Sequence, residues 1–390
     1  MTFSEPVREI FPEQAKEAFA ANFAAGREVG AGLSVWQGGR EILNLAEGSR
    51  DAARSVPWSD DTLALIWSAT KGLAAICVLR CLDERGFTPE TCIAEFWPEF
   101  AAGGKERMTV GQVMSHTSGL AAMQAGIVSI FDHEEVASAL AAQAPLEEAL
   151  GQVAYGPRTW GFLADEFVRR LTGGEPLGAY WRRAFGDPLG LDLWIGLPES
   201  QDSRVATMLA PRSTGNAGDP FFAAFFDATS LTRRAFAAPA GLAAISMMNQ
   251  SAARRASIPS LGGIGSATSL AKFYAMLASG GSLGGVRCVS KRVLAWAQTR
   301  QAQGFDLVLH AEVAFSCGLM LDPLDADGRK TRTLVGPSSA AFGQPGAGGS
   351  LAFADPENEI GFAYVMNQME PGVLPGSRAV AIVNALYGLK

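Results

Sequence analysis

Apolar positions along this chain follow two periods, and the switches between them mark its elements. Near the N-terminus a helical pattern covers about residues 13–25. Alternation then predicts strands over Gly32–Trp36 and Glu41–Leu45, joined by a tight turn at Gly38-Gly39. The other end mirrors this. Ser350–Ala354 and Ile360–Val365 read as strands either side of the turn Asp355-Pro-Glu-Asn358, and residues 378–387 read as a last helix. Strands plus a helix at each terminus predict one sheet built from both ends of the chain.

The middle has helical spacing. Leu73–Leu79 is apolar nearly all round and stops near Gly86, as a buried helix does. Thr109-Val-Gly-Gln112 is a capping box. Trp160, Leu163, Ala164, Phe167, Val168 and Leu171 form one face of a helix that ends at Gly173; Leu270, Phe273, Tyr274 and Leu277 form another before Gly280. The expected fold is α+β: an antiparallel sheet flanked by N- and C-terminal helices, with an inserted all-α domain. Residues 1–70 and 285–390 make the discontinuous sheet domain and residues 71–284 the mainly helical one, with the active site at their interface. Residues 201–260 show little periodicity. Their cluster of Phe221, Phe222, Phe225, Phe226, Met247 and Met248 is expected to pack in the core, or else to wall an acyl or alcohol pocket.

Composition narrows the function classes. The 390 residues are 48% hydrophobic and 18% charged, with net charge −7 and no long run of one sign. A basic nucleic-acid footprint and a polybasic membrane segment are both missing. No stretch reaches the roughly 18 apolar residues of a membrane span. The N-terminus lacks the pattern of a secretory signal, so a cytoplasmic location is expected. Five cysteines without a CxxC pair (Cys77, Cys81, Cys92, Cys288, Cys317) read as small core residues, and no metal or cofactor is implied.

The chemistry concentrates at Trp67-Ser68-Ala-Thr-Lys71-Gly72, at the entry to the buried helix. Three residues apart at a helix start, Ser68 and Lys71 share a face, so the lysine nitrogen reaches the serine oxygen. The Ser68 N–H is free for an oxyanion. The spacing alone is weak, because Ser269-Leu-Ala-Lys272 also has it. Lys272, however, falls on the polar side of its helix and reads as a solvated surface charge. Lys71 opens two turns with almost no charge, where an amine must be paired or deprotonated.

Further motifs follow in order: Met108-Thr-Val-Gly-Gln-Val-Met-Ser-His-Thr-Ser-Gly-Leu120, then Tyr155-Gly-Pro-Arg-Thr-Trp-Gly-Phe-Leu163, then Phe342-Gly-Gln-Pro-Gly-Ala-Gly-Gly-Ser350. Together with Ser68-x-x-Lys71, this order resembles the serine β-lactamase-like superfamily: class C β-lactamases, DD-peptidases and, most closely, family VIII carboxylesterases. The resemblance spans residues 25–388. It implies that Ser68 is acylated and that Tyr155 acts with Lys71 as base, Lys71 supplying the cation that makes the phenol useful near neutrality. It further implies that the N–H groups of Ser68 and Ala347 hold the oxyanion, with Gln344, Gly346 and Pro157 on the substrate. His116 lies in a stretch the family uses structurally. Two departures stand out. Pro157 replaces an amide-bearing Asn, and Gln344 replaces the cation that holds a substrate carboxylate. A small neutral ester is therefore the expected partner, rather than a carboxylated β-lactam or a D-Ala peptide.

Other readings compete. Gly280-Gly-Ser282-Leu-Gly284 fits G-x-S-x-G, but Ser282 follows a helix instead of a strand, and His310 is the only later histidine. Acyl transfer shares the acyl-enzyme with hydrolysis. A non-catalytic binding protein that retains the fold would also explain Pro157 and Gln344.

Overall fold

The computed structural model describes residues 9–124, 128–213, 215–216 and 218–389. The first eight residues, on which the reading of a missing secretory signal partly rests, lie outside these.

Strands β1 (Gly30–Gln37) and β2 (Arg40–Gly48) form the predicted hairpin, and Gly38 and Gly39 take φ of 57° and 75° as a type I′ turn demands. Strands β3 (Ala64–Trp67), β4 (Leu193–Ile195) and β5 (Gly263–Gly265) make a small sheet in the order β3-β5-β4. Strands β6 (Ser282–Leu283) and β7 (Val286–Arg287) form a short ribbon. The remaining strands are β8 (Ala302–Phe305), β9 (Glu312–Phe315), β10 (Met320–Leu321), β11 (Phe342–Pro345), β12 (Leu351–Asp355) and β13 (Ile360–Met366). They join the hairpin in an eight-stranded antiparallel sheet, β2-β1-β13-β12-β11-β10-β9-β8. The two ends of the chain meet where β1 pairs with β13, from Ala31 opposite Met366 to Gln37 opposite Ile360.

The two faces of this sheet carry different residue sizes, and that decides what packs on each. Leu33, Val35, Phe353, Phe362 and Tyr364 lie on one face by register. Phe353 and Phe362 stack at 4.9 Å, and Tyr364 meets Phe19 edge-on at 6.3 Å. Such pairs add about 0.5–1.5 kcal/mol beyond burial. The N-terminal helix Pro12–Ala24 and the C-terminal helix Ser377–Leu386 cover this face and pack on each other. The opposite face carries mostly small residues, Gly32, Ser34, Ala352, Ala354, Gly361 and Ala363, with Trp36 and Val365 among them. Helix Ala267–Ala278 seats there, so close that a Cβ on Gly361 would lie 2.3 Å from the Ala275 nitrogen.

That helix falls inside the 71–284 span assigned above to the helical part, yet it packs on the sheet. Its apolar stripe shows that it is buried, but not against which layer. The rest of the helical layer centres on Thr70–Arg85 packed against Thr159–Thr172, each ending at a left-handed glycine, Gly86 and Gly173. Among the described residues no helix is long and apolar enough to cross a membrane.

Candidate active site

Strand β3 delivers the chain to the helix Thr70–Arg85 through a sharp corner. Trp67, a bulky residue, takes a left-handed φ of 50°, a conformation costing on the order of 1–3 kcal/mol. The corner is held by Thr70, whose Oγ1 donates to the Trp67 carbonyl at 2.5 Å and accepts from the Gly263 N–H at 2.8 Å. It aims Ser68 across the helix start, and the Ser68 N–H has no acceptor among the described residues.

Lys71 is completely buried. Its Nζ lies 2.8 Å from the Ser260 carbonyl, 3.2 Å from the Pro157 carbonyl and 3.4 Å from Ser68 Oγ, with the Tyr155 ring centroid 4.8 Å away. No carboxylate joins this set, and burial drives the lysine pKa well below its ordinary value. A neutral amine can serve these neighbours with two N–H groups for the carbonyls and its lone pair for the Ser68 hydroxyl, and an ammonium can donate to all three oxygens. Burial favours the deprotonated of the two states expected for this amine.

Tyr155 is buried beside it, its hydroxyl hydrogen-bonded to the side chains of Ser68 and Gln344. Burial pushes its pKa well above the usual phenol range, and the nearby Asp306 adds to this. Burial therefore favours the protonated form of Tyr155, against the ionisation expected from a Lys71 cation. It can pass a proton between Ser68 and its surroundings while Lys71 receives one.

Two residues hold the Tyr155 backbone. Asp306 accepts the Tyr155 N–H at 3.0 Å together with those of Val308 and Leu309, both at 2.8 Å; burial against these bonds raises its pKa to about 6. The sequence gives no sign of Asp306, a lone carboxylate 151 positions from its partner. His116 accepts the next N–H, that of Gly156, on Nδ1 at 3.1 Å, and its ring sits 4.7 Å from that of Tyr155. Burial keeps His116 well below the usual imidazole pKa.

Gln344 on β11 is buried and reaches Tyr155 from the sheet side. Gly346 follows the end of β11, and a Cβ there would stand 2.2 Å from the Ile66 carbonyl, so only glycine lets the strand approach the Ser68 corner. Ala347 follows in a short turn, and its N–H has no acceptor among the described residues. Pro157 contributes its carbonyl to Lys71. The adjacent Arg158 is a buried cation bound, among the described residues, to the carbonyls of Pro239, Gly241 and Leu242, its pKa lowered to about 10 by burial. The motif that begins at Tyr155 contains Arg158 but gives it no role.

The rival motifs lie elsewhere. Ser269 Oγ accepts the Asp192 N–H at 2.8 Å, and Lys272 donates to the Leu189 carbonyl at 2.7 Å, so Lys272 is tethered rather than free in solvent. Ser282 opens the short strand β6 after a helix, and His310 pairs with Thr232. The phenylalanine cluster is not core either. None of Phe221, Phe222, Phe225 and Phe226 is buried, and Phe226 is 70% exposed. They pack on one another and on Phe236, with rings 5.3–5.9 Å apart. Met248 alone of that group is buried, with Met247 partly so.

The family model described as Beta-lactamase matches residues 16–387. The chain belongs to the beta-lactamase family. Esterase/beta-lactamase LipL of Mycobacterium tuberculosis is 30% identical over 366 residues, covering 90% of this chain and 80% of LipL. Among solved structures, a family VIII carboxylesterase superposes with TM-score 0.85 at 35% identity, covering 97% of this chain and 99% of that one. A penicillin-binding protein homologue from Caulobacter crescentus gives TM-score 0.84 at 35% identity, covering 96% of both chains. These matches make the chain a serine hydrolase of the beta-lactamase fold.

Proposed function

We propose that this beta-lactamase family member is a serine carboxylesterase acting on small neutral esters. The observation that carries the reading is the fully buried Lys71 amine facing Ser68 Oγ at 3.4 Å, with Gln344 as a neutral amide beside them. Ser68 Oγ attacks the ester carbonyl while its proton moves to Lys71, directly or through the Tyr155 hydroxyl. The carbonyl oxygen becomes an oxyanion held by the N–H groups of Ser68 and Ala347. The intermediate collapses, the C–O bond breaks, and the alcohol leaves with the proton from the Lys71 ammonium. Water then attacks the acyl-Ser68 ester, giving its proton to Lys71, and expulsion of Ser68 Oγ, which regains that proton, releases the acid. Relatives named as esterases support this reading, and so does the lack of a formal charge at Gln344.

The test is covalent. A fluorophosphonate should label Ser68 in the wild-type protein, and mass spectrometry should find an acyl group on Ser68 after brief exposure to a short-chain ester. Labelling at another serine would sink the mechanism, and an unlabelled, ester-inert protein would point to a binding protein that keeps the fold.

A further inference from the structure

The turn that carries Ala347 closes on itself through two backbone bonds, Gly346 N–H to the Ser350 carbonyl at 2.7 Å and Gly349 N–H to the Gly346 carbonyl at 3.2 Å. Gly348 and Gly349 sit at φ of 79° and 122°, and neither has a side chain to pack. Glycine-rich backbone loses the most freedom on ordering, so a fixed geometry here needs bonds from outside. The Gly348 N–H donates to the Gly372 carbonyl at 3.3 Å, and a further bond comes from Arg378, in the first turn of the C-terminal helix. Its Nη2 donates to the Gly348 carbonyl at 3.2 Å and to the Gln368 carbonyl at 2.7 Å. Its Nη1 donates to the Arg27 carbonyl at 3.1 Å and lies 2.7 Å from Glu28 Oε2. Its Nε faces Glu370 Oε2 at 3.3 Å, close in distance though off the hydrogen-bond angle. The Glu370 N–H also donates to the Gly348 carbonyl, at 2.9 Å.

Arg378 is 1% exposed and Glu28 is 2% exposed. A buried ion pair returns little net stability, because desolvating both charges offsets their attraction. What the guanidinium provides is geometry, since its planar fork joins three separate backbone segments and one of them is the Gly348 turn. We propose that Arg378 is a positioning residue for the oxyanion site: from behind, it fixes the turn that presents the Ala347 N–H, with Glu370 as its second anchor. This rests on the reading of Ser68 as nucleophile and of Ala347 as oxyanion donor.

Arg378→Lys keeps a charge but loses the fork. The readout is kcat and KM on a neutral ester and on its thionoester, in which sulfur replaces the carbonyl oxygen. Sulfur accepts hydrogen bonds weakly, so a thionoester gains less from oxyanion donors. Arg378→Lys should lower ester kcat by about 10- to 100-fold, a fraction of the loss of a whole oxyanion donor. KM should move little, and the ester-to-thionoester preference should shrink by a comparable factor. A smaller folded fraction would lower both substrates equally and leave that preference unchanged, so an unchanged preference overturns the positioning role. Should Arg378→Lys fail to fold, Glu370→Ala carries the test. It removes the carboxylate that faces Arg378 Nε while leaving the backbone bond to Gly348, and should shift the preference the same way by about three- to tenfold; no shift overturns the proposal. Fluorophosphonate labelling of wild-type Ser68 separates the two levels. An unlabelled Ser68 removes the nucleophile reading and this inference with it, whereas a labelled Ser68 with an unmoved preference removes this inference alone.

Discussion

The chain holds two Ser-x-x-Lys segments at helix starts, and only one is built for chemistry. Ser269 and Lys272 lie on helix Ala267–Ala278, whose N-terminus Ser266 caps in the ordinary way. There the serine oxygen accepts a backbone N–H and the lysine donates to a backbone carbonyl. Every polar atom has a structural use. At Ser68 and Lys71 the helix begins instead from a strained corner at Trp67, the lysine is wholly buried, and it has carbonyls but no counter-charge. The same spacing thus sets two groups on one face in both places. Burial without a counter-ion is what turns one of the lysines into a base.

The largest expected effect tests that contrast directly. Ser68→Ala should lower kcat for a neutral ester by a factor on the order of 10⁴ or more, as loss of a nucleophile does. Ser269→Ala should stay within a few-fold of wild type, and steady-state assays of the two variants side by side decide it. Comparable losses in both would erase the distinction. Next comes Lys71→Arg, which puts there a guanidinium that cannot give up its proton. General-base catalysis supplies about 10²–10⁴-fold, so a loss of that size is expected across the pH range. In the wild type, kcat/KM should rise with pH through the depressed Lys71 pKa and then level off. A rising limb that instead follows a His116 substitution would assign the base to the wrong residue.

A third effect is smaller and concerns what the site accepts. A charge-assisted hydrogen bond contributes roughly 1.5–3 kcal/mol, about ten- to hundredfold in kcat/KM. Gln344→Lys should therefore improve carboxylated substrates relative to neutral ones by up to that factor, measured on a pair of esters sharing one acyl group. An unchanged ratio would mean that residue 344 does not face the substrate. The gain has a limit in view, because Gln344 bonds Tyr155 and a lysine there would alter that contact too.

Much of this was legible before any coordinates. Both terminal hairpins follow from alternation broken at turn residues, and their meeting in one sheet follows from symmetry of pattern about the helical middle. Ser68 and Lys71 could be paired because helical spacing is local. What escaped depends on distance or on depth. Asp306 reaches Tyr155 across the fold, and a lone carboxylate carries no periodic signal. The protonation of Tyr155 escaped as well, because its neighbour's charge depends on how completely Lys71 is buried, which no motif states. The phenylalanines at 221–226 look like core by composition, but a seven-residue helix so apolar offers no polar face from which to infer exposure.

The smallest effect lies in stability, and its sign follows from Lys71. In the folded protein its pKa lies below the ordinary value of 10.5, whereas in the unfolded chain it is unperturbed. Above about 10.5 both states hold a neutral amine and the group is indifferent to pH. As pH falls below that, the unfolded chain takes up a proton that the folded protein refuses, so the unfolded state gains and stability drops until the folded pKa is reached. Lys71→Met removes this dependence. The variant also leaves the carbonyls of Ser260 and Pro157 without their donor, so its absolute stability is a poor measure, and the slope is the useful one. Between about pH 7 and 10, the melting temperature of the variant relative to wild type should be highest at the acid end and decline toward the alkaline end. Lys272→Met gives the scale for an ordinary lysine hydrogen bond, about 1 kcal/mol, or roughly 1–3 °C in a protein of this size. A wild-type minus Lys71→Met difference that stays flat with pH would show that Lys71 is charged in the fold. Its lone pair would then be unavailable to Ser68, and the contrast between the two lysines would lose its chemical meaning.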